Sequence, residues 1–224
     1  MIEFNEYLIP LVIGKPVGNG FHADRYAGIG FFIGKDLIAT CKHVVEMVNE
    51  GEMLVGLDRV VDSSFEVIDI RCHPIYDFAI GTFPLGKHHK KFTLTPQKHF
   101  LGADVQAFGY TADCKDGDTV RIDARLFKGH IVRTSATPIR PGARSILEVS
   151  FASHKGFSGA PLVGVENALV GMLFTNLDSY VEHYKILDVD DGKILHKETA
   201  YRVLELGIAH SNQDILQFLS DMGI

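Results

Sequence analysis

Three short segments of the sequence place a serine, a histidine and an aspartate where nucleophilic chemistry is possible. The most specific is Gly156-Phe157-Ser158-Gly159-Ala160-Pro161, a G-x-S-G-x-P run that enters an apolar stretch. Glycines on both sides permit a sharp turn that exposes the hydroxyl, and the N–H groups of Gly156 and Ser158 are the natural donors to an oxyanion. Taken alone, a Gly-Ser-Gly turn is more often an ordinary loop.

The other two segments supply a base and an acid. His43 follows the apolar stretch Ile38–Thr40, and Asp77 opens the apolar stretch Phe78–Ile80. The histidine would take the serine proton and return it to a leaving amine, while a buried carboxylate would fix the imidazole tautomer. Each residue alone has a simpler explanation, a structural histidine or a turn aspartate. Their occurrence together favours catalysis.

The elements that must position these residues read as short apolar strands separated by turns. Thirteen stretches fit this pattern: Tyr7–Ile13, Ile29–Ile33, Leu37–Thr40, Met53–Leu57, Phe65–Ile70, Phe78–Phe83, Val105–Tyr110, Thr119–Phe127, His130–Thr134, Ile146–Phe151, Ala160–Val165, Ala168–Thr175 and Tyr201–Ala209. A further hairpin, Lys185–Val189 with Lys193–His196, turns at Asp190-Asp191-Gly192. Two sets of about six antiparallel strands predict an all-β protein with two packed β-barrels.

Two features divide and close the chain. The polar connector Gly86–His99 predicts a boundary between an N-terminal barrel, residues 1–98, and a C-terminal barrel, residues 99–224. His43 and Asp77 fall in the first unit and Ser158 in the second. Ser211 as N-cap, Asp214 in the first turn and the apolar residues that follow predict a terminal helix over 211–222.

Composition excludes several classes of partner. The chain has 224 residues, a net charge of −6 and scattered basic residues, so we expect no nucleic acid partner. No stretch approaches the ~18 apolar residues of a membrane-spanning helix, and the first residues lack the pattern of a signal peptide. We therefore expect no membrane partner.

The cysteines and histidines give two further expectations. Three widely spaced cysteines without a CxxC pair argue against a disulfide framework and favour a reducing compartment, so a cytoplasmic location is expected. His73, His88, His89 and His99 cluster in sequence but lack the spacing of a zinc site, so we predict no metal and no cofactor.

The segments Gly28–Ile33, Ala39–Val45, Asp77–Ile80 and Gly156–Pro161 resemble the chymotrypsin/trypsin-like serine peptidase family, and the closing segment resembles its bacterial and HtrA-like members. The order His, Asp, Ser is the one this family uses. The resemblance implies a chymotrypsin-like fold of two six-stranded barrels, with His43, Asp77 and Ser158 as catalytic triad. Gly156 and Ser158 would form the oxyanion hole.

The departures from the family pattern carry information. Phe157 stands where relatives activated by N-terminal cleavage have an aspartate, so the resemblance implies no zymogen of that kind. Packing of Phe157 or a partner protein must then order the oxyanion loop. The substrate pocket implied by the resemblance comprises Ala152, Ser153, Phe174, Thr175, Asn176, Gly207 and Ala209. Ala152 lies at the base of this pocket and supplies no acid, so we expect a small or aliphatic P1 residue. Asp178 and Glu205 lie in neighbouring segments and could still meet a basic P1 residue.

The expected activity is that of an intracellular serine endopeptidase that cleaves proteins or peptides through an acyl-enzyme. Three alternatives stay open: a non-catalytic regulatory module with this fold, an esterase, and a protease that works only with an activating partner protein. The stretch Leu177–Thr199 is longer than a minimal connection. It is either a solvated hairpin or a gate or exosite beside the cleft.

Overall fold

A computed structural model describes residues 3–18, 20–84, 89–96, 99–116, 119–136, 142–164, 168–190 and 193–224. Its strands form two antiparallel sheets, and the chain completes the first before it begins the second. The first sheet contains β1 (Leu8–Val17), β2 (Gly20–Phe32), β3 (Leu37–Thr40), β4 (Met53–Asp58), β5 (Ser63–Glu66), β6 (Ile68–Cys72) and β7 (Ala79–Thr82). The second contains β8 (Asp104–Asp116), β9 (Thr119–Ser135), β10 (Ile146–Val149), β11 (Pro161–Val163), β12 (Leu169–Asp190) and β13 (Lys193–Ser211).

The first sheet has the strand order β5-β4-β1-β2-β3-β7-β6. Its two edge strands, β5 and β6, are separated in sequence by Val67 alone. One residue cannot cross the width of a flat seven-stranded sheet, so the sheet must curl until its edges meet. The stretch Phe65–Ile70, expected as one strand, is divided at Val67, and this division raises the strand count from six to seven.

The second sheet is a closed barrel of six strands in the order β10-β13-β12-β11-β8-β9. Closure removes the exposed edges that an open antiparallel sheet would present. Together the two sheets confirm the prediction of an all-β, chymotrypsin-like fold with two barrels and a terminal helix.

The two sheets share one continuous cluster of buried apolar side chains. The strands of the first sheet end at Thr82 and those of the second begin at Asp104, so the expected boundary lies between them. Residues 97 and 98 fall outside the described part of the chain, and the division at 98/99 stays a prediction.

Two α-helices and a 3-10 helix (Phe4–Glu6) complete the described part of the fold. Helix α1 (Lys42–Glu46) follows β3 directly, and helix α2 (Asn212–Asp221) follows β13. The Ser211 hydroxyl accepts the Asp214 N–H at 3.1 Å, so the predicted N-cap is confirmed. Ile215 and Phe218 bury the apolar face of α2. No helix of the described chain has the length and apolar character that crossing a membrane requires.

Candidate active site

His43 lies in the first turn of α1, just beyond the buried strand β3. Val44, the next residue, is fully buried and fixes the helix to the core, whereas the His43 side chain keeps 41% of its surface exposed. A short helix anchored on one side therefore presents the imidazole to solvent at the crevice between the barrels.

Asp77 holds His43 through both carboxylate oxygens. The backbone N–H of His43 donates to Oδ1 at 3.0 Å, and Nδ1 lies 2.7 Å from Oδ2. Burial alone would raise the pKa of Asp77, but its hydrogen bonds with His43 and the charge on that ring hold the pKa below the usual value. The carboxylate is thus an acceptor, so the neutral form of the imidazole has its proton on Nδ1 and its lone pair on Nε2.

The main chain of Asp77 is held by the second barrel. Its N–H donates to Gly142 O at 2.8 Å, and His210 Nε2 donates to its carbonyl oxygen at 3.1 Å. His210 is fully buried and stacks on Phe174, with ring centroids 4.1 Å apart. Burial lowers the pKa of His210 to about 4, so the ring is neutral near pH 7. Its Nδ1 has no hydrogen-bond partner within the described chain.

Sequence reasoning missed His210 as a contact of the site. It follows Gly207-Ile208-Ala209, a stretch for which the sequence predicts a closing strand and part of the substrate pocket. The signal available was a histidine in an otherwise apolar strand, a residue type that is seldom fully buried without a specific contact.

Ser158 sits on a glycine-dependent turn. Gly156 and Gly159 on either side have positive φ angles of 96° and 87°. A Cβ at Gly159 would collide with the carbonyl oxygen of Ile29 in β2. The Ser158 carbonyl in turn accepts the Ile29 N–H at 2.9 Å. The serine turn therefore abuts the first barrel so closely that only glycine fits beside the nucleophile.

Two backbone N–H groups at this turn are available to a ligand. The N–H of Phe157 donates to His154 O and that of Gly159 to Leu173 O, each at 2.9 Å. Among the described residues no acceptor takes the N–H of Gly156 or of Ser158. These are the two donors that the sequence predicted for an oxyanion hole.

A tyrosine from the first barrel fixes the turn. The Tyr26 hydroxyl lies 3.0 Å from both Gly156 O and Tyr110 O. Burial raises the pKa of Tyr26 well above its usual value, so the hydroxyl keeps its proton and acts as a donor. Phe157 is fully buried and packs edge-on against Phe127, with ring centroids 5.0 Å apart. From the sequence, packing of Phe157 was one of two ways to order this loop, the other being a partner protein, and the contact of Tyr26 was not predicted.

The three predicted catalytic residues line one open cleft of about 820 Å³. The structure therefore brings together side chains from the two barrels that are 34 to 115 positions apart in sequence. Of the expected pocket residues, Ser153, Phe174, Thr175 and Asn176 line this cleft, as do Asp178 and Glu205. Ala152, Gly207 and Ala209 are not among its lining residues.

Cys41 lies beneath the His43–Asp77 pair, and ligand atoms of these three residues fall within 4.8 Å of one another. A metal ion at this spacing would need a thiolate. Burial, followed by the negative charge of Asp77, raises the pKa of Cys41 well above its usual value, and its thiol donates to Leu173 O at 3.4 Å. In the described structure the thiol is therefore a protonated donor to a main-chain carbonyl, beside the hydrogen-bonded His43–Asp77 pair.

Comparison with known proteins identifies the family and supports the fold. The trypsin-like peptidase domain family matches residues 28–172. No curated protein gives a significant sequence match. The inactive form of the Rv3671c protease of M. tuberculosis is 20% identical, with a TM-score of 0.62 over 98% of this chain and 90% of that one.

Two further solved structures share the fold. The HtrA-type protease AlgW, solved with a tripeptide, is 14% identical, with a TM-score of 0.62 over 97% of this chain and 60% of that one. The MamO protease domain of Magnetospirillum magneticum, in its apo form, is 18% identical, with a TM-score of 0.59 over 95% of each chain. The family match covers well over half of the sequence, and this chain belongs to the trypsin-like serine peptidases.

Proposed function

We propose that the chain is a serine endopeptidase in which Ser158 is the nucleophile, His43 the general base and Asp77 the residue that orients it. One observation carries the proposal. The hydrogen-bonded His43–Asp77 pair and Ser158 line the same cleft, beside two backbone N–H groups that have no acceptor in the described chain.

These positions support an acyl-transfer mechanism. Nε2 of His43 accepts the Ser158 hydroxyl proton as Oγ attacks the scissile carbonyl carbon. The carbonyl oxygen becomes an oxyanion that accepts from the N–H groups of Gly156 and Ser158. The tetrahedral intermediate collapses, the C–N bond breaks, and His43 returns its proton to the leaving amine. Water, deprotonated by His43, then attacks the ester and releases the acid, and the proton returns to Ser158.

We also propose that no ion pair with a newly cut N-terminus is needed to order the oxyanion turn. Phe157 supports this, because its buried ring fills the position where such an ion pair would require a carboxylate. The Tyr26 hydroxyl supports it as well, because it supplies a neutral anchor for the Gly156 carbonyl. An activating partner protein and a cytoplasmic location remain predictions, and the unpaired thiols of Cys41 and Cys72 are compatible with the latter.

Labelling with a fluorophosphonate, which reacts only with an activated serine, tests the proposal. We expect the purified chain to be labelled and Ser158→Ala to lose labelling and peptide hydrolysis, a fall in rate of at least ~10³. Ser179→Ala is a matched control, because this serine is exposed on β12 away from the cleft. A folded chain that takes up no label would be a non-catalytic module or, if cell extract restores labelling, a protease that needs an activating partner protein. A chain that hydrolyses esters but no peptide would be an esterase.

A further inference from the structure

The cleft beside Ser158 is bounded by two walls. One is the serine loop with Ser153 and His154, and the other is the part of β12 that carries Phe174, Thr175 and Asn176. In the proposed acyl-enzyme the substrate carbonyl is bonded to Ser158. The side chain of the residue that supplies this carbonyl, P1, must then enter the space between the walls.

The Asn176 side chain spans this space. Its Oδ1 accepts the Ser153 N–H at 2.6 Å, and its Nδ2 donates to the Ser153 carbonyl at 2.7 Å. Both ends of the amide are thus bound to one residue of the opposite wall. Nδ2 also lies 3.5 Å from Glu205 Oε2 at the mouth of the cleft.

The Asn176 amide and its two hydrogen bonds to Ser153, here called the bridge, are costly to displace because both hydrogen bonds are short. The Ser153 side chain is buried, and neither its N–H nor its carbonyl can be satisfied by an aromatic or aliphatic side chain. A large apolar P1 group would have to push the amide aside and leave main-chain polar groups unpaired. The P1 side chain of glycine, a hydrogen atom, or of alanine, a methyl group, would not reach the bridge.

We propose that Asn176 determines specificity by closing the P1 pocket, and that the substrates are polypeptides with alanine, glycine or serine at P1. This inference rests on the proposed function, because it takes Ser158 as the point of attachment. It concerns the shape of the site and not its chemistry.

The two acidic residues at the mouth of the cleft do not determine the P1 preference in place of Asn176. Asp178 and Glu205 face one another across the β12–β13 pairing and are exposed. A basic P1 side chain stopped by the bridge would meet these carboxylates in solvent, where screening makes a single ion pair weak. An arginine substrate therefore belongs in the test.

The test compares peptide substrates that differ only at P1, which is Ala, Phe or Arg. For the full chain we expect kcat/KM to be at least about tenfold higher with Ala than with Phe or Arg. In Asn176→Gly the Ala-to-Phe ratio should fall at least about tenfold, because the pocket is open. Fluorophosphonate labelling of this variant would show that Ser158 is still reactive and that the site is folded.

Two variants keep the result interpretable. Asn176→Ala retains a Cβ and should shift the same ratio if the glycine variant does not fold. Ser179→Gly, on the same strand but outside the cleft, should leave the ratio unchanged. A wild-type chain that prefers Phe or Arg, or a labelled Asn176 variant with an unchanged ratio, would overturn the role of Asn176 alone. A wild-type chain that takes up no label would overturn the proposed function as well.

Discussion

Strands β12 and β13 each have one end inside the second barrel and one end outside it. Residues 169–176 and 207–211 carry buried side chains such as Leu173 and Ile208. Through Phe174 and His210 they contact the catalytic corner, which is defined here as His43, Asp77 and the Gly156–Gly159 turn. Residues 177–190 and 193–206, here called the ribbon, pair with each other and with no other strand of the described chain. Tyr180 is 65% exposed and Tyr201 is 56% exposed. The same two strands therefore have a buried end in the barrel and a solvent-exposed end in the ribbon.

The difference shows what holds each region in place. Asp77 and Gly156 in the corner are each fixed by contacts from the opposite barrel, and a loss there misaligns reacting atoms. The ribbon is held by main-chain pairing and by cross-strand contacts such as the edge-on pair Tyr180–Tyr201. Changes in the corner should lower the rate of every reaction, whereas changes in the ribbon should leave the chemistry intact.

The largest loss is expected from Asp77→Asn. Asp77 accepts two hydrogen bonds from His43, and an asparagine that still accepts the backbone N–H must turn its NH₂ toward Nδ1. Nε2 would then carry the proton and could not accept one from Ser158. We expect kcat for a small ester to fall by ~10³–10⁴ with an unchanged melting temperature. A kcat within tenfold of the unmodified chain would remove Asp77 from the proposed mechanism.

A smaller loss is expected from Tyr26→Phe. The variant keeps the ring but removes the donor to Gly156 O, so the neighbouring Gly156 N–H should lose its fixed orientation. We expect kcat to fall by roughly 10–10², less than the loss of an oxyanion donor, with little change in KM. Affinity for a peptide boronate, which mimics the tetrahedral intermediate, should fall in parallel.

Tyr110→Phe is the matched control for this substitution. It removes another hydroxyl from the same region, one that donates to Asn5 Oδ1, but it retains the Tyr110 carbonyl that Tyr26 contacts. It should leave kcat and boronate affinity unchanged. Equal losses in the two variants would mean that Tyr26 acts only on stability.

The sequence was informative where a residue's role depends on its near neighbours. Gly156 and Gly159 indicated the serine turn, and the Ser211 N-cap indicated the last helix. The roles of Tyr26 and His210 depend on partners 130 and 133 positions away, so local pattern could not reveal them. The ribbon was expected as separate short strands, because its exposed sequence lacks a clear alternation. The structure joins them into two long strands whose register follows from pairing across the turn.

Shortening the ribbon should have the smallest effect on the chemistry. Val181 pairs with Arg202, so replacing residues 182–201 with Asn-Gly closes the hairpin through a two-residue turn. We expect kcat/KM for a small ester to stay within about twofold, because no side chain removed lies in the cleft. Hydrolysis of an unfolded protein substrate should fall more, if the exposed tyrosines act as an exosite. Equal effects on the two substrates would identify the ribbon as a solvated hairpin, and a large loss with the ester would show that the corner depends on it.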